Sequence, residues 1–122
     1  HKPGSILEMR CNVMNNSKSR LPWFVEQMKE HDAEIYRLSA DSVETAMAPG
    51  ALDIKTKYLI VLALDALKGA AQGVKVVAAQ ARAAGASEAE IAEALRLAYY
   101  VSGMDVVKTC LSAYETEGNS KI

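Results

Sequence analysis

A short apolar run limits the folds that are open to this chain. Residues Tyr58 to Leu64 read Tyr-Leu-Ile-Val-Leu-Ala-Leu, and charged residues flank them at Lys55, Lys57, Asp65 and Lys68. The run is far shorter than the ~18 to 20 apolar residues that a membrane-spanning helix needs. A helix that is apolar on all sides is buried in a core or in an assembly. The run therefore predicts a buried helix of a soluble protein.

The segment that follows, from Ala70 to Ala84, predicts a second helix. It is rich in alanine, which favours helix, and its single interior glycine, Gly73, costs about 1 kcal/mol relative to alanine. Gly85 stands where a helix end favours a residue that can adopt left-handed backbone angles. The apolar stripe at helical spacing consists of Val74, Val77, Ala78, Ala81 and Ala84.

A third helix is marked by its capping sequence. Ser87-Glu88-Ala89-Glu90 has the spacing of a capping box, in which Ser87 accepts from the backbone of Glu90 and the Glu90 carboxylate reaches back. We expect this helix to run to about Val101 and to end at Gly103, with Asp105 as the N-cap of a last helix. The buried face of that last helix is predicted to be Val106, Val107, Cys110, Leu111 and Tyr114.

The pattern before these helices predicts one long helix. It begins at Leu21-Pro22, spans about 26 residues by its apolar periodicity, bends near Ser39 to Ser42, and ends at Pro49-Gly50. A helix of this length exceeds what one small core needs, so we expect part of it to pack on another subunit.

Composition bounds the class of protein. The chain has 122 residues, half of them apolar, and a net charge of -1 without a basic block, so we expect one domain that binds neither nucleic acid nor a membrane. Cys11 and Cys110 are too far apart in sequence for a metal motif or a disulfide scaffold. No secretory signal is apparent, which predicts a cytoplasmic location.

The ends of the chain are predicted to lie outside the helical domain. His1 to Glu8 lacks a methionine and looks like the remnant of an expression tag, and residues 9–20 read as a flexible lead-in. A single helical domain is expected over 21–117, followed by a frayed tail at 118–122.

Two sequence blocks resemble a known superfamily. The blocks are Leu52-Asp53-x-Lys55-Thr56-Lys57-x-Leu59-Ile60 and Gly85-Ala86-Ser87-x-x-Glu90-Ile91-Ala92-Glu93-Ala94-Leu95. Together with their separation they resemble the carboxymuconolactone decarboxylase and alkylhydroperoxidase D-like superfamily, over roughly Leu21 to Tyr114. The resemblance implies an all-α alkylhydroperoxidase D-like domain of about five main helices. It also implies a homo-oligomer, a trimer or a hexamer.

The resemblance also shows which reactive side chains this chain lacks. Redox members carry a Cys-x-x-Cys pair, a His four residues beyond the second Cys, and a Glu twelve residues before the first; a thiolate attacks the oxidant and a second thiol resolves the intermediate. Those positions fall at Ala70, Gly73, Val77 and Tyr58. The Glu and His of the decarboxylase branch would fall at Gly73 and Val77. The thiol chemistry of the superfamily is therefore not expected here.

Several polar residues close in sequence to Ala70, Gly73 and Val77 are the remaining candidates for lining a pocket. Tyr58, Asp65 and Lys68 are spaced seven and three apart, which places them near one helical face, and Gln72 and Lys75 follow. They could line a remodelled pocket, in which a buried carboxylate with a raised pKa acts as a general base. Alternatively, Asp65 and Lys68 form a simple i,i+3 ion pair, worth ~0.3 kcal/mol.

Two further titratable residues each allow two interpretations. His31 could be a proton carrier that replaces the lost His, or it could be a solvated histidine on the first helix. Cys110 could be a reactive thiol, or it could be a small buried hydrophobe, which is the usual behaviour of a cysteine on an apolar face.

Three functions are consistent with this sequence. The first is an oligomeric binding or accessory module without thiol peroxidase activity, which could take a small-molecule ligand. The second is a decarboxylase or lyase-like enzyme that uses Asp65 and Lys68. The third is a residual peroxidase that uses Cys110. No cofactor and no metal ion is expected in any of them.

Overall fold

The computed structural model of the chain describes residues 21–116, and these residues are helical without a strand. The predicted tag remnant and lead-in, Cys11 and the tail lie outside that range. An all-α fold of about five main helices is confirmed. The elements are α1 (Trp23–Met28), α2 (Ala33–Met47), α3 (Ile54–Leu67), α4 (Ala71–Ala83), α5 (Glu88–Cys110) and a 3-10 helix (Leu111–Tyr114).

The described residues divide into two compact units, which meet in sequence between Ala48 and Pro49. The first unit contains α1 and α2, and the second contains α3, α4, α5 and the 3-10 helix. None of the helices within 21–116 has the length and apolar character that a membrane crossing requires.

The prediction of one long first helix is wrong. The chain leaves helical geometry at Asp32, whose backbone is extended and whose carboxylate accepts from the N–H groups of Glu34 and Ile35 at 3.1 and 3.0 Å. An aspartate that caps two free amides in this way starts a new helix. The break therefore lies before α2, and no break occurs near Ser39 to Ser42. The helix ends at Met47, close to the predicted end at Pro49-Gly50.

The second unit is built around α3, which packs against both α4 and α5. Its buried core consists of Leu62, Ala78, Ile91 and Ala94. The apolar run in α3 is buried on one side only, because Tyr58 and Leu62 are buried whereas Ile60 and Leu64 are exposed. Within this unit, α4 and α5 cover one face of α3. Burial of the other face in an assembly, the second form of the expectation, stays a prediction.

Two glycines with left-handed backbone angles delimit α4. Gly69 has φ 74° and Gly85 has φ 101°, so each makes a turn that a residue with a β-carbon would make only with strain. The predicted helix end at Gly85 is confirmed. Ala78 and Ala81 are buried on the predicted stripe, and their small side chains allow close helix packing.

The predicted end of the third helix is wrong. α5 continues from Glu88 through Gly103 to Cys110 as one helix of 23 residues. A single glycine inside a helix costs only about 1 kcal/mol, which does not interrupt a helix with good formers on both sides. Asp105 is therefore an interior residue of α5. The predicted buried face is also wrong, because all its members are exposed: Val106, Val107, Cys110, Leu111 and Tyr114.

Candidate functional site

The two sequence blocks meet in space at the beginnings of α3 and α5. Nζ of Lys55, in the first turn of α3, lies 2.9 Å from Oε2 of Glu90, in the first turn of α5. The predicted capping box is present, since Ser87 Oγ accepts from the Glu90 N–H at 3.0 Å and the Ser87 N–H donates to Glu90 Oε1 at 2.8 Å. The blocks therefore form a joint between two helices.

Glu90 uses both carboxylate oxygens in this joint. The hydrogen bond from the Ser87 backbone, and after it the hydrogen bond from Lys55, lowers the pKa of Glu90 below its ordinary value of 4.5. The same contact raises the pKa of Lys55. A carboxylate with a lowered pKa, both of whose oxygens already accept hydrogen bonds, is better suited to holding helices together than to moving protons.

Asp53 caps the same end of α3. Its Oδ1 accepts from the Thr56 N–H at 2.7 Å, and this backbone hydrogen bond lowers the pKa of Asp53. An aspartate at this position satisfies one of the free amides of the first helical turn. Asp53, like Glu90, thus has a structural function in the block that carries the resemblance.

Packed side chains occupy two of the four positions at which the resemblance places reactive groups, those of Tyr58 and Val77. Val77, at the His position, packs against the buried cluster around Leu62. Tyr58, at the Glu position, is buried on α3. Ala70 lies at the start of α4 and is exposed. An aliphatic side chain in the core can neither accept nor deliver a proton at the place where the imidazole would stand.

Asp65 occupies the space beside Gly73, the fourth of these positions. A β-carbon on Gly73 would lie 2.7 Å from Oδ2 of Asp65 and 3.1 Å from its Cγ, both closer than ordinary van der Waals contact. The half-buried carboxylate of Asp65 therefore stands where a side chain of residue 73 would begin. Gly73 is in the first turn of α4, where the helix dipole favours a negative charge.

The other members of the predicted pocket do not join Asp65 in this arrangement. Lys68, Gln72 and Lys75 are exposed. Among residues 21–116, Asp65 and Lys68 form no salt bridge, so the alternative of a simple i,i+3 ion pair is wrong. A pocket lined by all these residues remains a prediction. What the structure shows is the close approach of the Asp65 carboxylate to Gly73.

His31 belongs to the first unit. It is exposed and lines a cavity of about 400 Å³ together with Glu26, Gln27 and Glu30. Its role as a proton carrier for the second unit remains a prediction.

Cys110 is exposed near the end of α5, so its interpretation as a buried hydrophobe is wrong. In the part of the chain that the structure describes, it is the single cysteine. In that part, no three His, Cys, Asp or Glu side chains come together as they would around a metal ion.

Two contacts of the site were not anticipated from the sequence. These are the ion pair between Lys55 and Glu90 and the contact between Asp65 and Gly73. The second had a signal, because a glycine within an alanine-rich helix is unfavourable unless another group approaches its backbone closely. The first had none, since it joins residues far apart in the chain.

Comparison with known proteins supports the fold. The family model of the Carboxymuconolactone decarboxylase family matches residues 33–116, a range that begins at α2 and includes both blocks. Neither the curated proteins nor the solved structures gave a significant match. Because the match covers more than half of the chain, the protein belongs to the carboxymuconolactone decarboxylase family.

Proposed function

We propose that this protein is a family member without thiol peroxidase activity, and that it acts as a homo-oligomeric binding module for a small molecule. The observation that carries the proposal is the position of the Asp65 carboxylate against Gly73. A side chain at residue 73 and the present carboxylate would compete for one space. The site is therefore organised around an acid on α3, and the thiol chemistry of α4 has no place in it.

The thiol that remains is poorly placed for peroxidase chemistry. A two-thiol cycle needs a low-pKa attacking cysteine and a neighbouring resolving cysteine. Cys110 is exposed on α5, whereas the family pair would fall at Ala70 and Gly73 at the start of α4, and Cys110 is the single cysteine within 21–116. These features support the absence of a peroxidase cycle.

The charge of Asp65 supports a class of ligand. An ionised carboxylate accepts hydrogen bonds and attracts cations, so a small molecule with an amine or several hydroxyl groups suits it best. Lys68 and Lys75 are exposed in the neighbouring sequence and are proposed to adjust when such a ligand binds. Val77 and the core below it would provide the apolar wall of the pocket.

Exposed apolar residues support assembly into a homo-oligomer. Ile60 and Leu64 are exposed on the open side of α3, and further apolar side chains are exposed on α5. Large apolar side chains that are exposed in this number are typical of surfaces that pack against another subunit. We propose a trimer or a hexamer, which is the assembly implied by the family.

Turnover of a hydroperoxide tests the absence of peroxidase activity. The wild-type protein and Cys110→Ser are expected to consume an organic hydroperoxide equally slowly, at the rate of buffer with a reducing thiol. Hydroperoxide consumption that Cys110→Ser abolishes would overturn the proposal.

A thermal-shift screen with small amines and polyols tests the binding site. A ligand that raises the melting temperature of the wild-type protein is expected to lose this effect in Asp65→Asn. Asp105→Asn is the matched control, because Asp105 is an exposed aspartate on α5. A shift that survives in Asp65→Asn, or that vanishes in both variants, contradicts the assignment of the site.

A second candidate function is a decarboxylase or lyase-like enzyme in which Asp65 acts as the general base and Lys68 assists. The same contact favours it, because the carboxylate stands at the position where the decarboxylase branch carries its acid. Turnover of carboxymuconolactone by the wild-type protein, lost in Asp65→Asn and kept in Asp105→Asn, would establish this function. No turnover by the wild-type protein would leave the binding module as the function.

A further inference from the structure

The C-terminal half of α5 carries a regular apolar stripe that its own unit leaves open. The stripe recurs at steps of three, four, three, four and three residues, the heptad spacing by which two helices pack along a seam. The 3-10 turn keeps its last member in line, because residues three apart eclipse in a 3-10 helix. We name this set the α5 seam: Leu97, Tyr100, Met104, Val107, Leu111 and Tyr114.

Every side chain of the α5 seam is exposed, with exposed fractions between 45% for Met104 and 85% for Tyr114. The buried residues of α5 are Ile91, Ala94 and Ala98, and all of them lie in its first half. Only the first half of the helix therefore contributes to the core of the second unit.

The side of α5 that faces the core is apolar in the first half of the helix and mainly polar in the second half. The line that begins with the buried Ile91, Ala94 and Ala98 continues at helical spacing into Ser102, Asp105 and Thr109, which are polar and exposed. The second half of α5 thus continues the core-facing line mainly with polar residues, and it carries its apolar stripe on another side. This reversal indicates that the second half is built to pack on something other than its own core.

The size of the α5 seam fits a subunit interface. With ~200 Å² for a buried tyrosine and ~100 Å² for an aliphatic side chain, the exposed fractions amount to on the order of 500 Å² of apolar surface. Two such seams would bury on the order of 1,000 Å², which is the lower bound for a specific interface before any flanking residue is counted.

The occupant that fits best is a second copy of the same helix. A partner needs an open apolar stripe of comparable length. Among the other helices, α2 exposes Ile35 and Leu38 and α3 exposes Ile60, Leu64 and Leu67 as large apolar residues, so each offers a shorter stripe than the α5 seam. The α5 of another copy offers a stripe of the same length and spacing. We propose that the α5 seam pairs with the α5 seam of a second copy of this chain. This inference rests on the proposed homo-oligomer and, because a contact between identical helix faces is two-fold, it selects the hexamer over the trimer.

Neighbouring residues on α5 provide two matched pairs for the test. Val107 is in the seam and 58% exposed, whereas Val106 is outside it and 63% exposed. Tyr100 is in the seam and 59% exposed, whereas Tyr99 is outside it and 82% exposed. Consecutive helical residues lie about 100° apart around the axis, so each pair compares the same side chain on two sides of one helix.

The molar mass in solution, measured by sedimentation equilibrium on the full chain, is the readout. The wild-type protein is expected to show a multiple of the 13.2 kDa chain mass, and Val107→Lys and Tyr100→Glu are expected to weaken self-association by at least tenfold. Val106→Lys and Tyr99→Glu are expected to keep the wild-type mass. Helical circular dichroism of each variant, compared with wild type at equal concentration, identifies any variant that fails to fold.

The outcomes separate the seam from the wider proposal. A wild-type oligomer whose mass is unchanged by both seam substitutions overturns the α5 seam and leaves the homo-oligomer standing. Equal loss of mass in the seam and control variants also overturns it. A monomeric wild-type protein overturns the seam and the proposed homo-oligomer together, and leaves the hydroperoxide and ligand experiments unaffected.

Discussion

The contact between Asp65 and Gly73 predicts an energetic coupling that a double-mutant cycle can measure. In the wild-type background, the new β-carbon of Gly73→Ala would lie 2.7 Å from Oδ2 of Asp65, well inside the 3.4–4 Å of ordinary contact. The carboxylate must therefore rotate away from α4. In an Asp65→Ala background nothing obstructs the β-carbon.

Two opposing contributions determine how much Gly73→Ala changes the free energy of unfolding. Replacing a glycine within a helix by alanine stabilises the folded state by about 0.5–1 kcal/mol. Displacing the carboxylate costs about 0.3–1 kcal/mol of interaction with the start of α4, and an unfavourable rotamer adds about 0.5–1.5 kcal/mol. In the wild-type protein the cost is as large as the gain or larger, so Gly73→Ala is expected to leave the free energy of unfolding unchanged or to lower it by up to about 2 kcal/mol. In the Asp65→Ala background, Gly73→Ala is expected to raise the free energy of unfolding by the full amount of about 0.5–1 kcal/mol.

Urea denaturation of the four proteins, at one protein concentration, gives the coupling free energy. We expect about 1 kcal/mol between the two sites, since residues in contact couple by roughly 0.5–3 kcal/mol. The protein concentration is fixed because association stabilises the folded state by mass action. Additivity within about 0.3 kcal/mol would show that the carboxylate does not occupy the space at Gly73, and would remove the observation on which the proposed function stands.

Three further substitutions test the local structure of the second unit. Ser87→Ala removes the capping box and is expected to lower the free energy of unfolding by about 1 kcal/mol, measured in urea. Gly85→Ala places a β-carbon at φ 101° and is expected to cost about 1–2 kcal/mol by the same assay. Because the pKa of Glu90 is lowered in the folded state, its contribution is complete above pH 4.5 and is lost as pH falls through the folded-state pKa; Glu90→Gln is expected to flatten that acid limb of the stability curve.

Control substitutions of the same type at other positions show which results would contradict these predictions. Ser102→Ala, at an exposed interior position of α5, and Gly50→Ala, where a β-carbon meets nothing within 4 Å, are expected to change stability by less than about 0.5 kcal/mol. A loss in Ser102→Ala as large as in Ser87→Ala would refute the capping argument, and the same holds for Gly50→Ala against Gly85→Ala. An acid limb that is identical in Glu90→Gln and wild type would refute the assigned role of the Glu90 carboxylate.

Local signals in the sequence predicted the helices where a side chain acts on its own neighbourhood. Ser87 and Gly85 identified the boundary between α4 and α5, because a cap and a left-handed glycine depend on residues a few positions away. Asp32 carries the same kind of signal, but the spacing of apolar residues continues across it and therefore predicts one uninterrupted helix. Gly103 predicted a helix end that the structure does not have, since an interior glycine weakens a helix without ending it.

The site could be predicted only in part, because its decisive contacts are tertiary. The sequence placed Asp65 near the vacated positions, but the approach of its carboxylate to Gly73 depends on how α3 and α4 pack. The burial of the last apolar residues was predicted wrongly for a related reason. Periodicity identifies which residues share a face, such as Val107 and Leu111, and does not say whether that face meets its own core or another surface.

The joint between Lys55 and Glu90 has a consequence for how function is transferred between relatives. In this chain, the two blocks that carry the resemblance are also the segments that join the first turns of α3 and α5. The positions at which the resemblance places reactive groups lie elsewhere, at Tyr58 on α3 and at Ala70, Gly73 and Val77 on or beside α4, and the joint does not involve them. A signature match within this family therefore reports shared architecture, and catalytic competence has to be read separately at positions 58, 70, 73 and 77.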